Sequence, residues 1–310
     1  MAVALITHRA CLGHDPGAGH PERPARLKAV LHALEAEEFS PLLLEEAPEA
    51  SREALLRVHT ASHVEEILSL APEEGEYRAL DVDTVVSAGS VAAALRAAGG
   101  AIAGVDAVME GWARASFVAV RPPGHHAEPA RPMGFCLFNN VAVAALHARA
   151  RWNLQRLAIV DFDVHHGNGT ETIAGQDPDL FYASSHQSPC YPGTGSAEEH
   201  GIAGNIVNMP LPPGSGGRIF RQAWGEGILP LLERFSPDLL LVSAGFDGHK
   251  ADPLAQFRLE VGDFAWLTGE LIRLADARTG GRIVSVLEGG YDLEALAASA
   301  AAHVRVLMTG

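Results

Sequence analysis

Four short apolar runs, none of which alternates with polar residues, constrain the fold of this chain most strongly. They lie at Ser116–Val120, Leu157–Val160, Asp238–Ser243 and Arg282–Leu287. A strand that is covered on both faces has this unbroken apolar pattern, which is typical of parallel sheets. Helical apolar spacing separates the runs. Such alternation of strands and helices predicts an α/β fold with a mainly parallel sheet flanked by helices.

The remaining elements follow from the same spacing and from capping serines at Ser51 and Ser62. Further strands are predicted at Met1–Thr7 and Leu180–Ala183, and helices at Arg26–Glu38, Ser51–Val58, Ser62–Leu70, Phe138–Arg151, Ile219–Phe235 (interrupted near Gly225), Glu260–Arg278 and Leu293–Leu307. Thr84–Gly111 predicts one buried helix or two, with Gly99-Gly100 as a break or a point of close packing. We find no repeat or linker, so we expect residues 1–310 to form one domain.

Charge and cysteine content limit the partners and the compartment. The chain has 23 basic and 38 acidic residues, which argues against binding to nucleic acid or anionic membranes and favours cationic ligands. Cys11, Cys136 and Cys190 give neither a disulfide framework nor a paired metal-binding motif. The first residues lack a signal-peptide pattern, and no unbroken apolar run approaches the roughly 18 residues that span a bilayer. We expect a soluble protein of the reducing cytoplasm and leave the oligomeric state open.

Each of the four apolar runs ends in polar residues. The residues that follow them are His125 and His126, then Asp161, Asp163 and His165, then Asp247, and finally Tyr291. In an open parallel sheet, ligands bind at the carboxyl ends of the strands. Side chains that are far apart in the sequence are therefore expected to converge on one site.

Asp163, His165 and Asp247 form a candidate metal site. Side chains two residues apart on an extended chain point to the same side, which brings Asp163 beside His165. Buried carboxylates need a compensating charge, and Asp with His suits zinc. Three such ligands would leave a fourth position open, as in catalytic zinc sites. Alternatively, the two carboxylates are helix-cap or turn residues and His165 is a loop histidine. The residues do not distinguish zinc from ferrous iron.

The histidine pair and Tyr291 are candidate catalytic residues. Pro-Pro-Gly before His125 and His126 predicts a turn at the strand end, and imidazole groups suit acid–base catalysis near neutral pH. Asp161 and Asn168 are the expected hydrogen-bond partners of the pair. The Tyr291 hydroxyl could donate to an oxyanion. Ordinary loop histidines and a half-buried turn tyrosine are the alternatives.

Together these segments resemble the zinc-dependent histone deacetylase family, including its bacterial amidohydrolases. The matching segments are His20–Pro24, Arg121–Ala127, Gly134–Cys136 with Asn139 and Asn140, Asp161–Gly169, Tyr191–Gly195, Ala244–Asp247 and Glu288–Tyr291. They occur in the family's order and span nearly the whole chain. Asn168 resembles the class II branch, because class I members tend to have Asp there. Tyr291 differs from the His of the weakly active class IIa enzymes, which implies an active catalyst.

The resemblance implies the arginase/deacetylase fold and one catalytic zinc ion. It places the zinc on three residues: Asp163, His165 and Asp247. It implies that His126 is the general base and acid, and that Asp161 orients His125 as an electrostatic partner. Tyr291 would bind the acetyl oxygen.

The resemblance also implies a potassium site and a tunnel. A structural potassium ion is implied near Asp161, with side-chain or backbone oxygens from Asp163, His165, Ser184 and Ser185. Phe135 and Tyr191 would line a narrow tunnel to the zinc, although the second aromatic is more often Phe in the family. The neighbouring residues that we predict to contact the substrate are Gly134, Leu254, Gly289 and Gly290.

The expected reaction is hydrolysis of an N-acyl amide on a primary amine. Acetyl-lysine in peptides or proteins is the first predicted substrate. Acetylated polyamines are the alternative, favoured by the net acidity and by a loop that holds Glu73, Glu74 and Glu76. A polyamine-selective relative carries Glu in the position of Leu254, which lowers the expectation of polyamine specificity. A non-catalytic reader of acyl-lysine is a remoter alternative.

Overall fold

The computed structural model describes residues 2–310, and within that range eight strands form one sheet. The strands of the chain are β1 (Val3–Thr7), β2 (Leu43–Glu46), β3 (Arg78–Ala79), β4 (Val85–Val86), β5 (Ala115–Val118), β6 (Leu157–Asp161), β7 (Leu180–Gln187), β8 (Ile206–Leu211), β9 (Leu239–Ala244) and β10 (Ile283–Leu287). The order across the sheet is β2-β1-β5-β10-β9-β6-β7-β8, and neighbouring strands are parallel. The short strands β3 and β4 form a separate antiparallel hairpin.

Helices flank this sheet. They are α1 (Pro24–Ala33), α2 (Arg52–Leu56), α3 (Ala61–Leu68), α4 (Ser90–Glu110), α5 (Asn140–Trp152), α6 (Asn168–Ala174), α7 (Gly217–Gln222), α8 (Leu229–Phe235), α9 (Val261–Arg278) and α10 (Leu293–Thr309). Helix α4 packs against β1, β5 and β10, and α5 packs against β6 and β9. A π-helical turn at Ala223–Ile228 separates α7 from α8, which is the interruption predicted near Gly225.

The four apolar runs are central strands, as predicted, and they are buried along their length. The N-terminal strand is also present, although Met1 lies outside the described residues. The prediction for β7 was too short, because Ser184–His186 are buried and pair with β8. Strand β8 was missed because Asn208 and Pro210 weaken its pattern, and Pro is tolerated in an edge strand. The edge strand β2 was missed because its residues are exposed.

Several helix boundaries differ from the prediction, and three of these differences have a clear structural reason. Helix α1 ends at Ala33 rather than Glu38, and a 3-10 turn at Glu37–Phe39 then buries Phe39. Thr60, not Ser62, caps α3 by accepting from the His63 N–H. The predicted Thr84–Gly111 helix begins only at Ser90, because the preceding residues form the β3–β4 hairpin.

Helix α4 is continuous through its glycine pair. A Cβ at Gly99 would collide with the Pro48 carbonyl, so the pair marks close packing and not a break. By length and composition α4 could cross a membrane, since it has 21 residues and a mean hydropathy of 1.5. We did not expect such a helix, because no unbroken apolar run in the sequence is long enough to span a bilayer. However, 61% of that stretch is buried inside the protein, and core helices pass the same test.

The sheet brings the polar strand ends together. Strands β5, β10, β9 and β6 are consecutive neighbours in the centre of the sheet. The segments that leave their carboxyl ends carry the histidine pair, Tyr291, Asp247 and Asp163 respectively. The parallel arrangement therefore places all of the predicted catalytic groups at one edge.

Candidate active site

Asp163, His165 and Asp247 converge at the carboxyl edge of the sheet. Their candidate donor atoms lie within 4.8 Å of one another, and no other group of this kind occurs among residues 2–310. The His165 Nδ1 atom is 3.2 Å from Asp163 Oδ1 and 3.1 Å from Asp247 Oδ2. All three residues are buried.

The backbone holds each carboxylate by its other oxygen. Asp163 Oδ2 accepts from the Gly289 N–H at 2.8 Å, and Asp247 Oδ1 accepts from the Val164 N–H at 2.9 Å. A Cβ at Gly289 would collide with the Asp247 carboxylate, so a side chain has no room there. One oxygen of each carboxylate is thereby directed toward His165.

This donor set fits a divalent metal ion. Burial and the neighbouring Asp163 charge raise the pKa of Asp247 to about 7, which reflects two carboxylates held together away from water. Two carboxylate oxygens and one imidazole nitrogen are typical ligands of catalytic metal sites. A bound cation would neutralise the two carboxylates that the fold buries.

The two histidines of the pair have opposite electrostatic environments. The Nδ1 atom of His125 lies 3.0 Å from Asp161 Oδ2. Burial disfavours the charged form of His125, but the Asp163 and Asp161 carboxylates outweigh it and raise its pKa to about 10. Burial and the charges of His125 and His165 lower the pKa of His126 well below its usual value. A charged and a neutral imidazole therefore lie side by side, with ring centroids 4.0 Å apart.

A chain of hydrogen bonds sets the tautomer of His126. The Asn168 Nδ2 group donates to Glu128 Oε1 at 2.8 Å, which turns its Oδ1 atom toward His126 Nδ1 at 2.9 Å. The Nδ1 atom must then carry the proton, because Oδ1 can only accept. The Nε2 atom of the neutral ring keeps a free lone pair, as a general base requires.

Glu288 fixes the loop of the histidine pair and was missed as a functional residue by sequence reasoning. Its Oε2 atom accepts from the Gly124 N–H at 2.7 Å and the His125 N–H at 3.2 Å. Burial raises its pKa to about 7, although the His125 charge opposes this. Its place at the end of β10, directly before Gly289, was the available signal.

A cavity of about 200 Å³ leads to His126 and His165. It is lined by Asp83, His126, Gly134, Phe135, His165, Tyr191, Leu254 and Tyr291. The predicted contacts Gly134, Phe135, Tyr191 and Leu254 are thus among its walls. Gly289 and Gly290 were also predicted to contact the substrate, but neither is among the residues that line this cavity. Gly289 contacts the Asp163 and Asp247 carboxylates, and the Gly290 carbonyl accepts from Arg26 Nε at 2.5 Å.

Two charged residues near the cavity were not predicted. Asp83 is the acidic residue of its wall. The glutamates whose loop favoured a polyamine substrate lie elsewhere: Glu73 and Glu74 are exposed, and Glu76 lines a separate surface pocket. Nothing in the sequence distinguishes Asp83 from other loop acids. Arg26 is fully buried and lies over the Tyr291 ring, 4.7 Å from its centroid.

The hydroxyl groups of Ser184 and Ser185 have protein partners. Ser184 Oγ is 2.9 Å from His186 Nδ1, and Ser185 Oγ accepts from Trp224 Nε1 at 2.9 Å. Both serines are buried beside the site. The potassium site stays a prediction.

Comparisons with known proteins identify the family. The histone deacetylase domain model matches residues 20–307. The chain is 40% identical to histone deacetylase 14, chloroplastic, of Arabidopsis thaliana over 326 residues, covering 99% of this chain and 77% of that protein. It is 42% identical to the histone deacetylase-like amidohydrolase of Pseudomonas aeruginosa over 279 residues, covering 88% and 73%.

A solved structure extends the likeness to the whole fold. The crystal structure of the HDA15 HD domain superposes with a TM-score of 0.91 at 36% identity, covering 99% of this chain and 88% of that one. The predicted arginase/deacetylase fold is therefore confirmed. The chain belongs to the histone deacetylase family of amidohydrolases.

Proposed function

We propose that this protein is a zinc-dependent deacetylase that removes acetyl groups from lysine side chains of peptides or proteins. The supporting observation is the partly aromatic cavity of about 200 Å³ that reaches His126 and His165, the latter a member of the candidate metal-binding triad. The family's amidohydrolase activity gives the reaction class. The cavity gives the substrate shape, because a lysine side chain is a linear run of methylenes that ends in the amide.

Asp163, His165 and Asp247 would hold the zinc ion. When bound there, zinc acts as a Lewis acid that polarises a carbonyl and lowers the pKa of water. The residues of the chain supply the proton transfers and the geometry.

His126 moves the proton. Its neutral ring takes a proton from the attacking water at Nε2, and Asn168 keeps Nδ1 protonated meanwhile. The same Nε2–H then donates to the amine that leaves as the amide C–N bond breaks. His125 stays charged beside Asp161 and stabilises negative charge that develops in the site.

Tyr291 stabilises the oxyanion. Burial is the main reason that its pKa lies well above the usual value, and the nearby Arg26 charge opposes this only in part. The hydroxyl therefore remains a donor throughout the neutral range. The hydrogen bond from a preorganised donor of this kind is stronger in the transition state than in the ground state.

The mouth of the cavity favours an acetyl-lysine peptide over an acetylated polyamine as the substrate. Tyr191 and Leu254 are 37% and 36% exposed, so the rim leaves room for residues that flank an acetyl-lysine. Asp83 provides a carboxylate that can accept from peptide N–H groups. The same carboxylate is the observation that favours the second candidate, an acetylated polyamine, whose free ammonium group it could pair.

Metal reconstitution and turnover test the proposed function. We expect the chelated protein to be inactive on an acetyl-lysine peptide, and stoichiometric zinc to restore release of acetate. The His126→Ala variant should bind zinc but lose turnover, which separates metal loading from acid–base catalysis. Peptide binding without turnover by zinc-loaded wild type would instead support the reader alternative.

We further propose a structural potassium ion beside the catalytic site. Asp161 and Ser184 are register partners on adjacent strands, and both residues are buried. Ser185 follows on the same buried strand, and Asp163 and His165 follow Asp161. The melting temperature should be higher in potassium chloride than in choline chloride at equal ionic strength.

We also propose a cytoplasmic location and one catalytic domain. The cysteines at positions 11, 136 and 190 are free thiols, which suits a reducing compartment. Subcellular fractionation tests the location, and a single cooperative unfolding transition tests the domain organisation.

A further inference from the structure

The turn that carries Phe135 into the cavity has an unusual backbone. Met133 and Cys136 close it through two mutual backbone hydrogen bonds of 3.2 and 2.9 Å. Both central residues, Gly134 and Phe135, have positive φ angles, of 54° and 68°. This combination is found in type I′ turns, where Gly, Asn and Asp dominate. A Cβ at 134 would collide with the His126 ring, so glycine is required there, but Phe135 needs support for its left-handed conformation.

Two side chains of the β3–β4 hairpin provide that support. The Phe135 N–H donates to Thr84 Oγ1 at 3.0 Å, and the Gly134 N–H donates to Asp83 Oδ1 at 3.2 Å. The Thr84 hydroxyl donates its own proton to the same Oδ1 atom at 2.9 Å. Both central N–H groups of the turn are therefore bound by one dipeptide of the hairpin.

Thr84 is buried between the hairpin and the turn. It is 1% exposed, so its hydroxyl has no route to bulk water and depends on these two partners. Its carbonyl accepts from the Leu80 N–H at 2.8 Å and closes the tip of the hairpin. The hairpin tip and the turn thus meet at one buried hydroxyl.

The consequence is the position of an aromatic wall. The Phe135 ring centroid lies 4.8 Å from that of His20 and 5.8 Å from that of Tyr291, with edge-to-face geometry in both pairs. His20 Nε2 lies 3.1 Å from the Asp83 carbonyl, so the hairpin contacts His20 as well as the turn that carries Phe135. With a negative φ at residue 135, the side chain would leave the turn in a different direction.

We propose that Thr84 is a positioning residue for the acyl-lysine cavity. Its buried hydroxyl holds the left-handed turn at Gly134 and Phe135 and thereby sets the place of the Phe135 ring. Thr84 is not itself among the lining residues and acts through that ring. The kinetic consequence rests on the proposed function, whereas the structural consequence does not.

The first test removes the hydroxyl without changing the side-chain shape. Thr84→Val should lower kcat/KM on an acetyl-lysine peptide about tenfold, mainly through a higher KM, with unchanged zinc content. Thr84→Ser restores the hydroxyl and should recover most of the loss. Equal losses in both variants, no loss in Thr84→Val, or a loss confined to kcat would overturn the proposal. Thr84→Ala replaces Thr84→Val if the latter does not fold.

A double-mutant cycle tests whether Thr84 acts through Phe135. Phe135→Gly removes the ring and accepts a positive φ without strain. In that background Thr84→Val should change kcat/KM less than about twofold, because no ring remains to be positioned. A tenfold loss in both backgrounds would show that Thr84 acts elsewhere.

A crystal structure of Thr84→Val provides a readout that needs no activity. We expect φ at residue 135 to leave the positive range and the ring to move. An unchanged turn and ring would contradict the proposal. An inactive wild type would refute the proposed function but leave this crystallographic test in force.

Discussion

Replacing Tyr291 by Phe removes one hydroxyl and leaves the ring supported. The Arg26 guanidinium lies 4.7 Å from the ring centroid, and the Phe135 ring lies 5.8 Å away. A phenylalanine keeps both contacts. The N–H of residue 291 still donates to Asp252 Oδ2, which it reaches at 2.7 Å. The variant should therefore fold and bind metal like the wild type.

The size of the expected effect follows from the role of the hydroxyl. Loss of one oxyanion donor typically lowers kcat by about 10²–10³, which corresponds to about 2.7–4 kcal/mol. Because the pKa of Tyr291 is raised, the hydroxyl is a donor across the neutral range and the full loss is expected there. KM should change little, because the lost interaction is made chiefly in the transition state.

Steady-state kinetics on an acetyl-lysine peptide, with zinc measured in the same samples, check this prediction. Tyr77→Phe is the matched control, because Tyr77 is 55% exposed outside the cavity and undergoes the same chemical change. Activity of Tyr291→Phe within about threefold of wild type would remove the hydroxyl from the mechanism. A loss that merely followed zinc content would refute the reasoning as well.

Three further predictions follow from individual residues. Asp83→Asn removes a charge from the cavity wall and should raise KM for the peptide about tenfold with little change in kcat, as steady-state kinetics can show. Asp161→Asn removes the carboxylate 3.0 Å from His125 Nδ1 and should lower kcat at least tenfold, measured at constant zinc content. Burial lowers the pKa of His303 to about 3, so between that pH and about 6.5 the unfolded chain binds the extra proton and stability falls as pH falls. From this group the free energy of unfolding should drop by about 2 kcal/mol between pH 7.5 and pH 5, and urea titrations of His303→Gln should show a correspondingly smaller drop.

The central strands and the convergence of the site could be predicted from the sequence. An unbroken apolar run such as Leu157–Val160 has few alternatives to a doubly covered strand. Once those strands are parallel, their carboxyl ends share an edge, and because β9 and β6 are neighbours in the sheet, Asp247 lies close to Asp163. The prediction of the candidate metal-binding triad therefore rests on local patterns and one rule of topology.

The parts that could not be predicted depend on contacts between distant segments. Edge strand β2 carries exposed Leu and Glu side chains, so no burial pattern marks it. Asp83 belongs to the site because it accepts from the Gly134 N–H, and Arg26 because it donates to the Glu288 and Gly290 carbonyls after β10. The left-handed conformation of Phe135 runs against the local preference of its residue type. Its N–H donates to Thr84 Oγ1, a contact between distant segments that the sequence does not reveal.

The ratio of kcat/KM values for an acetyl-lysine peptide and for acetylputrescine, measured on the zinc-loaded protein, tests the proposed function most directly. The open rim at Tyr191 and Leu254 predicts a clear preference for the peptide. A preference for acetylputrescine would contradict it and assign Asp83 to a free ammonium group. Turnover of neither compound by a fully zinc-loaded protein would contradict lysine deacetylation itself.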